Sequence, residues 1–309
     1  MATLTAKKIG RTTIKIINSI VNFIVLTIIL LMVAFAGYAM WDSTQIYKAA
    51  DASQYAVYKP SSEDSISFKQ LQEKNPDVFC WLTVYGTNID YPVTQGKNNT
   101  KYVNTNAYGV YSLSGSVFLD AINDKNFQDF NSILYGHHME KKAMFGELGS
   151  FGDKQFFDSR AYGSLFYGNK EHGLEFFAFI QADAYDSEVF LPSIQGMDKQ
   201  QEYLQNLLEN AKYTRDIGVT AEDHILLLTT CSSNKTNGRD ILVARITDKY
   251  YNNTFKTEEK NDYNEQASVN QQLSFWEKVP VWLKISMSVF LIILFVMTIY
   301  MFREKRAKG

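Results

Sequence analysis

Residues Ile225–Ile246, ILLLTTCSSNKTNGRDILVARI, decide how this chain folds. Two apolar runs, Ile225–Leu228 and Ile241–Ala244, flank a polar loop. Each is rich in leucine or β-branched residues and too short for a free-standing helix, so both predict buried strands. Asn234, Asn237 and Gly238 supply turn chemistry between them. The hairpin sets Thr229, Thr230 and Cys231 at the end of its first strand and Arg239 at the mouth of its second. A thiol and a guanidinium then share one sheet edge. The thiolate is the reactive form of cysteine, and a neighbouring cation lowers the pKa of the thiol. The same residues equally suit an inert strand-end cysteine and an arginine paired at the surface.

Composition sets bounds around this hairpin. The 309 residues are 46% hydrophobic, with 21 Phe and 19 Tyr, enough for one sizeable core. A formal charge of −2 gives no reason to expect nucleic acid as a partner. With only Cys80 and Cys231 present, a disulfide framework is not expected.

Both ends read as membrane spans, with membrane lipid as their partner. Residues 16–40 are almost continuously apolar and follow Lys7, Lys8, Arg11 and Lys15. That length suits a bilayer crossing and exceeds the apolar core of a cleaved leader. Residues 280–302 form a second apolar run, with Trp276 and Trp282 at its start and Arg303, Lys305, Arg306 and Lys308 after it. Basic residues at the outer end of each run predict cytoplasmic tails at 1–15 and 303–309. What lies between is then extracytoplasmic: a juxtamembrane segment 41–64, a folded domain 65–250 and a polar tether 251–279.

Within the domain, short strands are expected at Val78–Val84, Ile89–Val93, Val117–Leu119, Ile133–Tyr135, Glu175–Gln181, Ile225–Thr230 and Ile241–Thr247. Helices are expected at Ser65–Asn75, Ala143–Ser150 and Lys199–Thr214, the last amphipathic through Tyr203, Leu204, Leu207, Leu208 and Ala211. The pattern is mainly β, a barrel or a sandwich. Cys80 falls inside a strand as a small buried residue. The pair His137-His138 follows the strand at Ile133–Tyr135 and a glycine. A Cys–His pair is the usual way to activate a thiol. Zinc is a weaker use of His137, His138 and Cys231, because no CxxC or HxxxH spacing accompanies them. No metal or cofactor is expected.

Several pieces together resemble the class B sortases: Asn131–Met139 (NSILYGHHM), Met144–Leu148 (MFGEL), Leu228–Cys231 (LTTC), Gly238-Arg239, and Asn75–Gly96 (NPDVFCWLTVYGTNIDYPVTQG) with its continuation to Tyr102. The resemblance covers roughly Ser65 to Tyr250, and the motifs occur in the family's order. It implies an eight-stranded sortase-type β-barrel with a few short helices, flanked here by two transmembrane helices. It assigns His137 as the catalytic histidine, Cys231 as the nucleophile and Arg239 as the catalytic arginine. Thr230 and Asn99 take substrate-binding or site-support roles. The implied activity is that of a membrane-anchored cysteine transpeptidase. It would cut a C-terminal sorting signal in a secreted protein and pass the acyl group to an amine, of a peptidoglycan cross-bridge or a pilin lysine. The loop from Cys231 to Arg239 is short, and a second span after the domain resembles the pilus-assembling members more than the housekeeping ones. Read without the resemblance, the residues also allow a tethered cysteine protease, in which water takes the thioester, and a non-catalytic surface scaffold.

Overall fold

In a computed structural model, the structure describes residues 2–60, 66–232 and 236–255, together with Lys284 and Ser288. The second apolar run therefore lies outside the described residues, those two positions excepted. The chain divides into two compact units, residues 1–45 with 265–309 and residues 46–264.

The first unit holds most of α1 (Ala2–Ala50) and with it the N-terminal apolar run. This is the one helix among the described residues long and apolar enough to cross a membrane. Most of its isoleucine, valine and leucine side chains from Ile14 to Val33 stand about half open to the surroundings.

The second unit is a barrel. Its strands are β1 (Val78–Val84), β2 (Asp90–Thr94), β3 (Val117–Leu119), β4 (Asn131–Tyr135), β5 (Tyr162–Tyr167), β6 (Lys170–Asp183), β7 (Ala211–Thr214), β8 (His224–Cys231) and β9 (Gly238–Thr247). They run in the order β5-β1-β2-β3-β4-β8-β9-β6-β7, and β5 also pairs with β6. That pairing closes eight strands on themselves, and β7 adds a short further strand beside the far half of β6. Closure removes the open edges that a sheet otherwise exposes. The helices α2 (Ile66–Lys74), α3 (Lys154–Ser159) and α4 (Met197–Glu209) also belong to this unit.

The apolar runs of β8 and β9 are uninterrupted because both faces are covered. Strand side chains alternate. Leu226, Leu228, Leu242 and Ala244 point into the barrel with Leu134, Phe145 and Phe176. Ile225, Leu227, Ile241 and Val243 point outward, with Ile133, beneath Tyr203, Leu204 and Leu207 of α4. The apolar stripe of α4 thus covers the outer face of these strands.

Three expectations differ from the structure. The helix expected at Lys199–Thr214 ends at Glu209, because Ala211–Thr214 pairs instead with Ala178–Ile180 of β6. The segment Ala143–Ser150 is not a helix. Lys141, Lys142 and Met144 have φ of 58°, 60° and 50°, the left-handed region, and only a short 3₁₀ turn forms at Leu148–Gly152. Met144, Phe145 and Leu148 are nevertheless buried, as expected. The strand β5 and the helix α3 have no counterpart in the pattern expected from the sequence.

The chain engages the barrel earlier and leaves it later than the strands do. Ala50 and Tyr55 join the core, and Tyr91 in β2 donates to the Ala50 carbonyl at 2.9 Å. At the other end, Tyr251 stacks on Tyr162 with ring centroids 4.2 Å apart. The Phe255 ring lies against Gly86, 3.0 Å from where a Cβ would stand.

Candidate active site

The site lies where β4, β8 and β9 end side by side. In the antiparallel pair β8–β9, Cys231 is directly opposite Arg239. Directly opposed residues have Cβ atoms about 5 Å apart, on the same face. In the parallel pair β4–β8 the register runs from Asn131↔Ile225 to Tyr135↔Thr229, and Gly136 N–H extends it by donating to the Thr229 carbonyl at 3.2 Å. Continued by two residues, that register sets His137 beside Cys231, one strand spacing of about 4.8 Å away. A histidine, a thiol and a guanidinium thus stand in one row across three neighbouring strands, with the thiol in the middle. Alternation gives all three the parity of Ile133, Ile225, Leu227 and Ile241, so the row continues the outer face that α4 covers farther along.

Each member has a distinct setting. Cys231 is a free, exposed cysteine, whereas Cys80 is free and fully buried, and burial pushes its thiol well up. His137 is half-buried, and its Nε2 lies 2.8 Å from the Val103 carbonyl. A carbonyl only accepts, so Nε2 carries the hydrogen and Nδ1 is the nitrogen left for exchange. Arg239 donates from Nη1 to the neighbouring Gly238 carbonyl at 3.1 Å. No carboxylate pairs with it among the described residues, so its planar fork is not taken up by an ion pair.

Local structure fixes these positions. The loop closes by Ser232 N–H donating to the Gly238 carbonyl at 2.7 Å, with Asn237 at φ 61°. On the histidine side, Gly136 is required by a close approach. A Cβ there would stand 2.6 Å from the Phe145 ring, which packs beneath the turn that carries His137. Phe145 N–H in turn donates to the His137 carbonyl at 3.0 Å.

The remaining expected residues sit nearby in other ways. Thr230 is buried opposite Asp240, and alternation turns its side chain to the other face from Cys231. Thr229 shares the face of the row. The hydroxyls of both threonines lack a hydrogen-bond partner among the described residues. Asn99 donates to the Asp120 carboxylate at 2.8 Å and accepts from Ala121 N–H at 2.8 Å, so it holds the turn after β3. His138 bridges to Met144 instead of joining the row.

Sequence reasoning missed Tyr135 and Val103. Tyr135 shares the parity of the row and donates to Asp120 at 3.0 Å. Burial, reinforced by Asp120, pushes its phenol up, and Arg239 is close enough to pull the other way. Its place two residues before His137 was a usable signal. Val103 contributes only a backbone carbonyl, which no sequence pattern announces. No group of three or more metal-ligating side chains occurs among the described residues.

A thiol at a strand end, flanked on one side by an imidazole and on the other by an open guanidinium, is the equipment of a cysteine acyl-transfer enzyme built on a β-barrel. No protein-family model matches the chain. Curated and solved proteins do. Sortase B of Listeria monocytogenes is 31% identical over 206 residues, 65% of this chain and 82% of that protein. The crystal structure of sortase B from the Type II pilus of Streptococcus pneumoniae is 48% identical, with a TM-score of 0.53 over 59% of this chain and 99% of that one. A Streptococcus pyogenes class B sortase involved in pilus biogenesis is 40% identical, with a TM-score of 0.54 over 59% of this chain and 98% of that one. The chain belongs to the class B sortases, which are cysteine transpeptidases.

Proposed function

We propose that His137, Cys231 and Arg239 carry the transpeptidation, and the observation behind this is their alignment across the ends of β4, β8 and β9. Cys231 passes its thiol proton to Nδ1 of His137, and Sγ attacks the carbonyl carbon of the scissile peptide bond in a secreted protein substrate. Arg239 holds the oxyanion that develops. His137 gives a proton to the departing amine, and the C–N bond breaks to leave a thioester on Cys231. An incoming amine attacks that thioester and passes its proton to His137, and the C–S bond breaks to release the Cys231 thiolate, which takes that proton back from His137 to restore the thiol. Nδ1 is the nitrogen that exchanges, because Nε2 is held by the Val103 carbonyl. Thr230 and Asn99 act as supports, Thr230 behind the nucleophile and Asn99 through Asp120 and Tyr135.

The acceptor in this reading is a pilin lysine. The support is relative likeness: the two solved relatives described with pili are 48% and 40% identical, against 31% for the Listeria sortase B. The chain is placed in the membrane by two spans, 16–40 and 280–302, with domain 65–250 on the outer surface, tether 251–279 following it and both tails in the cytoplasm. Basic flanks at both ends support that topology.

The test is mass spectrometry of Cys231 in cells, with and without added pilin-type amine. An acyl adduct on Cys231 that is discharged to a lysine supports the reading. Discharge only to water, with no amide product, overturns the transfer step. A reporter after Gly309 found outside the cell would overturn the topology.

A further inference from the structure

A buried tyrosine ties the last turn of α1 to the turn that carries His137. Tyr91 is 2% exposed. Its hydroxyl donates to the Ala50 carbonyl at 2.9 Å and accepts from Met144 N–H at 2.9 Å. Ala50 is the last residue of α1, and Met144 stands opposite His138 in an isolated bridge. One oxygen therefore serves a helix-terminal carbonyl and a loop amide that are far apart in sequence.

The turn it reaches needs holding. Lys141, Lys142 and Met144 have φ between 50° and 60°, and none is glycine. A non-glycine residue in that region costs on the order of 1 kcal/mol and persists only where its surroundings fix it. Phe145 N–H donates to the His137 carbonyl, Lys142 pairs with Glu147 at 2.8 Å, and Tyr91 takes the Met144 amide. Farther out, Tyr47 of α1 donates to Glu140 at 3.3 Å, and Lys141 lies 4.4 Å over the Tyr47 ring. Both outer contacts face solvent and are weak. The buried relay is the stronger tie.

We propose that Tyr91 is a positioning residue for His137, taking its own position from the last turn of α1. Deleting its hydroxyl removes a partner from both the Ala50 carbonyl and the Met144 amide inside the protein. The turn then loses its anchor next to Phe145, the ring that packs under Gly136. His137 spends less time beside Cys231, which slows proton transfer but leaves substrate contacts as they were. This rests on His137 being the acid–base residue.

The experiment uses the full chain in detergent or membranes, with a sorting-motif peptide and an amine acceptor. Tyr91→Phe is expected to lower kcat about 10-fold, within the range that a small misplacement of a catalytic group costs, with KM within twofold. Hydrogen exchange should show the Met144 amide losing protection while the β8–β9 ladder keeps its own. Tyr47→Ala, a change outside the core, is expected to lower kcat about two- to threefold with KM unchanged, since the ties it removes are weak ones. Tyr47→Phe should restore most of that through the ring under Lys141. A folded Tyr91→Phe with normal kcat overturns the inference, as does a loss carried wholly by KM. If Tyr91→Phe fails to fold, hydrogen exchange of the unaltered protein decides: a Met144 amide that exchanges as fast as an exposed loop amide overturns it. His137→Ala is run beside them. Turnover surviving in that variant defeats the assignment of the histidine itself, whereas a dead His137→Ala with a normal Tyr91→Phe defeats only the relay.

Discussion

Arg239 and Arg245 lie on the same strand with the same parity, yet their surroundings are opposite. Arg245 is fully engaged. Its Nε donates to Glu175 at 2.8 Å, its Nη2 reaches the same oxygen, and Asp223 stands 3.8 Å from Nη1. Tyr251 completes the cluster by donating to Glu175 at 2.6 Å. Arg239, nearer the loop, has a neighbouring carbonyl and nothing acidic paired with it among the described residues. A guanidinium surrounded by carboxylates locks a barrel end. One left open at a strand mouth, opposite a thiol, suits the charge that appears only during the proposed reaction. What separates them is the company that cross-strand register supplies: Arg245 pairs with Ile225 and Glu175, Arg239 with Cys231 and Ala182.

The contrast can be broken most directly at the reactive end. His137→Ala should lower turnover by about 100-fold or more, the usual worth of a positioned acid–base group, while His138→Ala keeps most of it; equal loss in two folded variants would undo the assignment. Arg239→Ala and Arg239→Lys should each lose on the order of 100-fold, since a compact ammonium does not reproduce the planar fork. Circular dichroism and the denaturation midpoint should stay near wild type in both. Arg245→Lys should turn over normally, and comparable losses at 239 and 245 would erase the distinction.

At the locked end the readout is stability. Arg245→Ala strands the Glu175 carboxylate in a largely buried place and should cost about 1–3 kcal/mol in urea unfolding. Burial alone would raise the Glu175 pKa, but hydrogen bonds from Tyr251 and Arg245 outweigh it, and the net shift is downward. A carboxylate with a depressed folded pKa contributes stability above its unfolded pKa, about 4.3, and that contribution fades as pH falls through the folded value. Wild type should therefore lose stability on the acid side more steeply than Arg245→Ala, as unfolding midpoints across about pH 3 to 6 would show. A stability cost of similar size is expected at Gly136, on the histidine side of the row. There Gly136→Ala presses a methyl into the Phe145 ring, and a cost of about 1–3 kcal/mol from overpacking should come with a several-fold drop in kcat.

The hairpin at Ile225–Ile246 was legible because both of its faces are buried, so its apolar runs are unbroken and its loop polar. Cys231 opposite Arg239 followed from that register alone. β5 was not legible. Its sequence YGSLFY carries Gly163, where a Cβ would stand 2.5 Å from the Thr83 carbonyl, so a residue that weakens strand propensity is there to let two strands approach. The helix expected around Met144 failed for a tertiary reason, since the backbone is held in the left-handed region by a hydroxyl from Tyr91 that lies far upstream. The histidine's position was legible as a motif, but its partner, the Val103 carbonyl, was not, because backbone groups look the same in every sequence.

The parallel pairing of β4 with β8 has a consequence in time. Cys231 and Arg239 sit on one hairpin and meet as soon as that hairpin zips. His137 does not join them until β5, β6, α4 and β7 have all been laid down and the crossover has brought β4 alongside β8. Contacts that close so long a loop form late and slowly. The thiol is therefore flanked by its cation well before it meets its imidazole. In the proposed reaction, a partly folded chain would then carry the thiol without its proton shuttle, and peptide cleavage would wait for β4 to reach β8.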